Sequence, residues 1–124
     1  MTGFNPVPKP APDKPKKKKQ NGYKDKANRC CYYTGEPYAE RHEVYGGANR
    51  KTSIDHRFQV DLKPEIHERF HNPRDPIDFE RITYWKQFYQ KQYEEKLKTS
   101  GVTAQQARRM WMWLIGKNYL EEVT

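Results

Sequence analysis

This chain has no apolar run approaching the ~20 residues that cross a bilayer, and no apolar segment behind its N-terminal charges of the kind a secretory leader needs. A soluble protein with no membrane partner is the expectation, cytoplasmic in location. Cysteine is nearly missing. The two present, Cys30 and Cys31, are adjacent, and neighbouring thiols rarely pair with each other, so no disulfide framework is expected. Apolar residues are scarce too, at 34%, with a mean hydropathy of −1.27. A chain of 124 residues has room for one domain, and this composition implies that part of it does not fold.

The distribution of charge shows which part. Nine of the 24 Lys and Arg residues fall within residues 1–29, against only Asp13 and Asp25, so this segment carries nearly the whole net charge of +8. It also holds Pro6, Pro8, Pro10, Pro12 and Pro15. Such a stretch cannot bury enough surface to offset its ordering entropy, and residues 1–28 are expected to be a disordered basic arm. Lys14, Lys16, Lys17, Lys18, Lys19, Lys24, Lys26 and Arg29 would then tether the protein to a nucleic-acid backbone with little sequence preference, joined by Arg50 and Lys51. A solubilising tail or an address signal is the plainer alternative.

After the arm the texture changes, and residues 29–124 read as one domain. Thr34-Gly35-Glu36-Pro37 has turn chemistry, with Gly35 available for a positive φ. Glu40 to Tyr45 reads as a short strand broken by Gly46-Gly47. A polar loop from Ala48 to about Arg57 leads to Phe58-Gln59-Val60-Asp61-Leu62, which alternates as a half-buried strand does. Pro64 to His71 reads as a helix closed by Asn72-Pro73. The stripe Ile82, Trp85, Tyr89, Tyr93, Leu97 predicts a helix over about 77–98. Thr103-Ala104-Gln105-Gln106 has the form of a capping box opening a last helix to about 115, with Gly116 as its left-handed cap. Helical periodicity assigns the aromatic stripe to the core rather than to base stacking.

All four histidines lie within Arg41–His71. His67 and His71 stand four apart on the helix after Pro64, so their rings project from one face, which is how a helix offers two nitrogens to one metal ion. His42, on the preceding strand, supplies a third. Three imidazoles leave coordination positions open, the mark of a catalytic site rather than a structural one. Glu43 is a candidate base for an attacking water. Adjacent strand residues face opposite ways, however, so Glu43 would join His42 only at a twisted or bulged strand end. His56 in the loop is the competing base.

These residues carry a resemblance. The stretch from about Arg29 to Leu120, about three quarters of the chain, includes the runs Arg41-His-Glu-Val-Tyr-Gly-Gly-Ala-Asn-Arg50 and Ser53–Leu62, the His67/His71 helix and the closing Gly116-Lys-Asn-Tyr-Leu120. It resembles the HNH, or ββα-metal, endonucleases, especially the small HNH-like proteins of bacteriophages and prophages. The resemblance implies an α+β fold, with a small ββα-metal core over about 38–72 followed by two helices. It matches His42, His67 and His71 to the family's metal-binding positions. Glu43 stands where many members have the general-base histidine, and Asn49 or Asp55 lies in the loop whose asparagine fixes that base. Many members also hold a structural zinc with two cysteine pairs. Here those positions read Cys31-Tyr-Tyr-Thr34 and Lys63-Pro-Glu-Ile66, so no structural zinc is expected.

The function so implied is metal-dependent hydrolysis of phosphodiester bonds in DNA, with one divalent ion (Mg, Mn, Ni or Zn), in the cytoplasm of a host bacterium. A second reading keeps the scaffold without catalysis, as a DNA-binding or host-factor-blocking protein with a partner in phage recombination or host defence. A third is a structural zinc module built on Cys30, Cys31 and the histidines, which a chelator would unfold.

Overall fold

A computed structural model describes residues 23–123. The arm over residues 1–22, with Lys14, Lys16, Lys17, Lys18 and Lys19, lies outside the described residues, as does the side chain of Lys24. The folded part starts earlier than Arg29. Tyr23–Asn28 forms a 3-10 helix. Its junction with the domain is held by the Arg29 N–H donating to the Lys26 carbonyl at 3.2 Å and the Ala39 N–H donating to that of Arg29 at 3.2 Å.

The sheet has two strands, β1 (Glu40–Glu43) and β2 (Gln59–Leu62), paired antiparallel with His42 opposite Val60 and Glu43 opposite Gln59. The chain is α+β: a two-stranded sheet and, among the described residues, four α-helices. Side chains alternate across the sheet. His42, Val60 and Leu62 are buried on one face, while Arg41 pairs with Asp61 at 3.2 Å on the other. β1 stops short of the expected Tyr45 because the Ser53 hydroxyl captures that residue's backbone, accepting from its N–H at 3.0 Å and donating to its carbonyl at 2.8 Å.

Ser53 belongs to a helix where a loop was expected. Gly47–Asn49 makes a 3-10 turn and Arg50–His56 is helix α1. It carries no apolar stripe, so hydrophobic periodicity cannot reveal it. Its one fully buried side chain is the serine, and an i,i+4 pair, Lys51 with Asp55 at 2.9 Å, supports its outer face. Arg57 ends it in the left-handed conformation, φ 60°.

The later helices obey their sequence signals. Helix α2 (Pro64–His71) begins with Pro64 in its first turn and ends at Asn72 before Pro73. Helix α3 spans Pro76–Thr99. The Asp78 carboxylate accepts from the N–H groups of Arg74 and Asp75 at 3.0 and 3.1 Å. The Arg74 bond first, then that of Asp75 and the Arg69 guanidinium, hold its pKa down to about 2 against the opposing effect of burial. Helix α4 (Ala104–Ile115) has its capping box, Thr103 with Gln106, and Gly116 beyond its end at φ 92°.

The core gathers Val44, Tyr45, Phe58, Val60, Leu62, Phe70, Trp85, Trp111 and Ile115. Two tyrosines cross from packing to hydrogen bonding: Tyr45 donates to the Lys86 carbonyl at 2.5 Å and Tyr89 to that of Gln59 at 2.6 Å. After α4 the chain returns over the helices. The Trp111 indole donates to the Lys117 carbonyl at 2.8 Å. Fully buried Gln90 receives the Tyr119 N–H and donates to both Asn118 and Glu94. Arg108 closes this network on Glu94 at 2.7 Å.

Candidate metal centre

Helix α2 packs against the face of the sheet that carries His42. Phe70 anchors it: buried, one turn after Ile66, its ring meets the edge of His42 at 5.1 Å between centroids. Once Phe70 faces the sheet, its neighbours at His67 and His71 fall beside His42, because residues four apart share a helical face. The His42 ring lies 5.2 Å from each of them. The three imidazoles offer ligand atoms that all lie within 4.8 Å of one another, and among the described residues this is the group of three or more His, Cys, Asp or Glu able to hold a metal ion.

Two details bear on whether a cation fits. The Nε2 atoms of His67 and His71 are 3.1 Å apart. Two nitrogens at ~2.0–2.1 Å from one tetrahedral ion stand about 3.3 Å apart, so the pair is already near the edge length of a coordination shell. The second detail is His42, only 8% exposed, whose Nδ1 is buried with no hydrogen-bond partner among the described residues. Burial first, then the neighbouring His67 and His71 and more weakly Lys86, hold its pKa down at about 3. It is therefore neutral, the form in which an imidazole gives a lone pair to a metal. The residues present fit a divalent ion.

One contributor has no place in the sequence reading. The Nδ1 of His67 lies 2.8 Å from Glu40 Oε1. With Nδ1 donating its proton to that carboxylate, Nε2 is left as a lone pair aimed at His71, the carboxylate–histidine arrangement that orients metal ligands. The bond to His67, opposed by burial and aided by charge from His67 and Lys26, holds the Glu40 carboxyl below its ordinary range. Lys26 stands 3.7 Å away. The signal was in the sequence: Glu40 precedes His42 by two on a strand, and two is the period that returns to the same face.

The other expected residues lie elsewhere. β1 keeps a regular ladder through Glu43, so no bulge turns that carboxylate towards His42. It engages Gln59 at 3.3 Å and Arg50 at 3.3 Å instead. His56 stacks on Phe58 at 5.2 Å and meets the edge of Tyr93, with no ring contact to the three clustered imidazoles. Asn49 donates to the Ile115 carbonyl at 2.9 Å, tying the α1 turn to the end of α4, and exposed Asp55 pairs with Lys51. Neither bonds to a histidine or to Glu43. Arg50 and Lys51 are exposed, but Arg29 is 8% exposed, inside the fold rather than on a surface that a phosphate reaches.

The segments Cys31–Thr34 and Lys63–Ile66 do meet, through the Cys31 thiol and the Lys63 backbone. The buried Cys31 thiol is opposed by desolvation, yet hydrogen bonds from the Thr34 hydroxyl and the backbone at Lys63, Thr34 and Tyr33 together lower its pKa. Cys30 is exposed. Neither thiol belongs to the histidine group, so a zinc module joining them to the histidines finds no support. No helix of the described residues is long and apolar enough to cross a membrane. Compared with known proteins, the chain matches no family model, no curated protein and no solved structure.

Proposed function

We propose that this chain is a small metal-dependent endonuclease of the HNH type acting on DNA, with its one divalent ion held by His42, His67 and His71. The observation that carries the reading is the convergence of three imidazoles from β1 and α2, with ligand atoms within 4.8 Å and one of them fixed by Glu40. The order β1, connection, β2, α2, with ligands on the first and last elements, agrees with a ββα-metal core. An ion there supplies a Lewis acid for the charge that develops on the leaving oxygen of a phosphodiester. The protein's own part is to hold neutral nitrogens on one side only: His71 is exposed, so the open side faces solvent and a phosphate can approach. Lysines of the N-terminal arm draw the polyanion in without reading its sequence.

A second reading has its own observation. Glu43 is tied to Arg50 and Gln59 on the far face of β1, so no base stands beside the histidines from that position. This favours a scaffold that binds nucleic acid without cutting it, as a host-factor-blocking or recombination protein would. A supercoiled plasmid incubated with Mg²⁺, Mn²⁺, Ni²⁺ or Zn²⁺ separates the two. The nuclease reading expects nicking with at least one ion, abolished by His67→Ala with binding retained. Plasmid left intact with every ion, yet shifted on a gel, gives the case to the binder.

A further inference from the structure

The aromatic side chains of α3 do not all enter the core. Trp85 is buried, but Tyr84 is 50% and Phe88 37% exposed, and Tyr32, from the turn before β1, is 60% exposed. These exposed rings are held rather than loose. Tyr84 and Phe88 lie nearly parallel, 20° between planes and 5.9 Å between centroids. Tyr32 and Tyr84 both stand edge-on to Trp85, at 5.0 and 5.1 Å. Between them runs an open groove of about 520 Å³ lined by Tyr32, Tyr33, Ile77, Glu80, Arg81 and Tyr84, within the range of roughly 300–1,000 Å³ found for ligand clefts. The Arg81 guanidinium rests over the Tyr33 ring, 4.0 Å from its centroid, and forms no ion pair or hydrogen bond among the described residues. Its donors are thus positioned by stacking and left without an anion.

We propose that this groove binds unstacked bases of a single-stranded nucleic acid, with Tyr32 and Tyr84 as stacking faces and Arg81 as the phosphate contact. The occupant is set by charge and shape together. An apolar peptide would satisfy the rings and leave Arg81 unanswered, whereas a nucleic-acid strand with flat bases and a phosphate for Arg81 satisfies both. Glu80 adds an acceptor at the rim, the partner that an exocyclic amino group requires. Duplex DNA does not qualify, because its base faces are already stacked. The Tyr33 ring reaches Phe70 at 6.4 Å, and Phe70 reaches His42, so the groove lies two ring contacts from the histidine centre. Resting on the proposed nucleic-acid function, the inference narrows its substrate to DNA with an unpaired stretch, such as a flap or a gap.

The test is fluorescence anisotropy of a labelled single strand of about 15 nucleotides and a duplex of equal length with the full chain, at about 0.2 M salt to subdue the arm. Tyr84→Ala is expected to weaken single-strand binding about tenfold and leave duplex binding unchanged. Tyr84→Phe keeps the stacking face and the affinity, and Trp113→Ala, an 89% exposed ring outside the groove, changes neither. Unaltered helical circular dichroism in each variant establishes that the fold is kept. Single-strand binding that survives Tyr32→Ala with Tyr84→Ala, or a loss shared equally by the duplex, overturns the groove. Cleavage of a gapped duplex in the presence of Mg²⁺, Mn²⁺, Ni²⁺ or Zn²⁺ reports separately: Tyr84-dependent single-strand binding without cleavage sinks the nuclease and not the groove, and cleavage with Tyr84-independent binding does the reverse.

Discussion

Glu40→Ala removes the acceptor for the His67 Nδ1 proton, 2.8 Å away, and frees both the tautomer and the ring orientation of that histidine. Carboxylates in this position typically account for 10–100-fold in metal affinity, about 1.4–2.8 kcal/mol. The Glu40 side chain is 36% exposed and divides its charge with Lys26 at 3.7 Å. Solvent screening places the effect at the lower end, about tenfold. Glu40→Gln keeps an acceptor oxygen and loses only the charge, so its loss is smaller, roughly threefold by the same reasoning. Isothermal titration of Zn²⁺ or Co²⁺ into the metal-free protein measures both variants. Urea unfolding of the same samples should shift by no more than about 0.5 kcal/mol, as for a surface change. Wild-type affinity in Glu40→Ala would refute the reasoning, because His67 would then be oriented without its carboxylate.

Other contacts carry their own expected outcomes. Asn49→Ala should cost about 1–2 kcal/mol of stability in urea, through the lost bond to the Ile115 carbonyl, and leave metal affinity unchanged; a change in affinity without loss of stability would return Asn49 to the site. Glu94→Ala takes the carboxylate partner from Arg108, whose side chain is 14% exposed and which keeps only its bond to the Glu121 carbonyl, and removes one acceptor from Gln90, and should cost about 3 kcal/mol; a loss below about 1 kcal/mol would show that water replaces the pair. In the metal-free protein His42 stays neutral down to about pH 3, whereas the unfolded chain takes up that proton near pH 6.5. A depressed folded pKa makes the unfolded state bind more protons between these values, so stability is full above pH 6.5 and falls as the pH drops towards 3. From pH 7 to pH 5 the loss is about 2 kcal/mol, and a flat profile over that interval would contradict the buried neutral imidazole.

The ligand geometry was legible because it depends on two short-range periods. Residues four apart on a helix and two apart on a strand share a face whatever else the chain does, so His67 with His71 could be read directly, and the turn, capping-box and glycine signals set the helix ends. Helix α1 was not legible: it is short, its buried side chain is Ser53, and the bonds that stabilise it run to Tyr45, eight residues away. The same limit governs Asn49, whose partner at Ile115 is 66 residues distant, and Arg29, whose charge suggested an exposed tether although its place is inside. Composition describes a residue's preference, and a long-range contact overrides it. Glu40 belongs to neither case, since the alternation that places His42 inward places Glu40 beside it.

Cobalt titration of the metal-free chain, monitored by visible absorption, tests the shared centre most directly. One equivalent should produce d–d bands, and His42→Ala, His67→Ala and His71→Ala should each abolish them while the helical circular dichroism persists. Saturation at one equivalent that survives loss of His67 or His71, or no binding by the intact chain, would contradict a metal centre built from these three side chains.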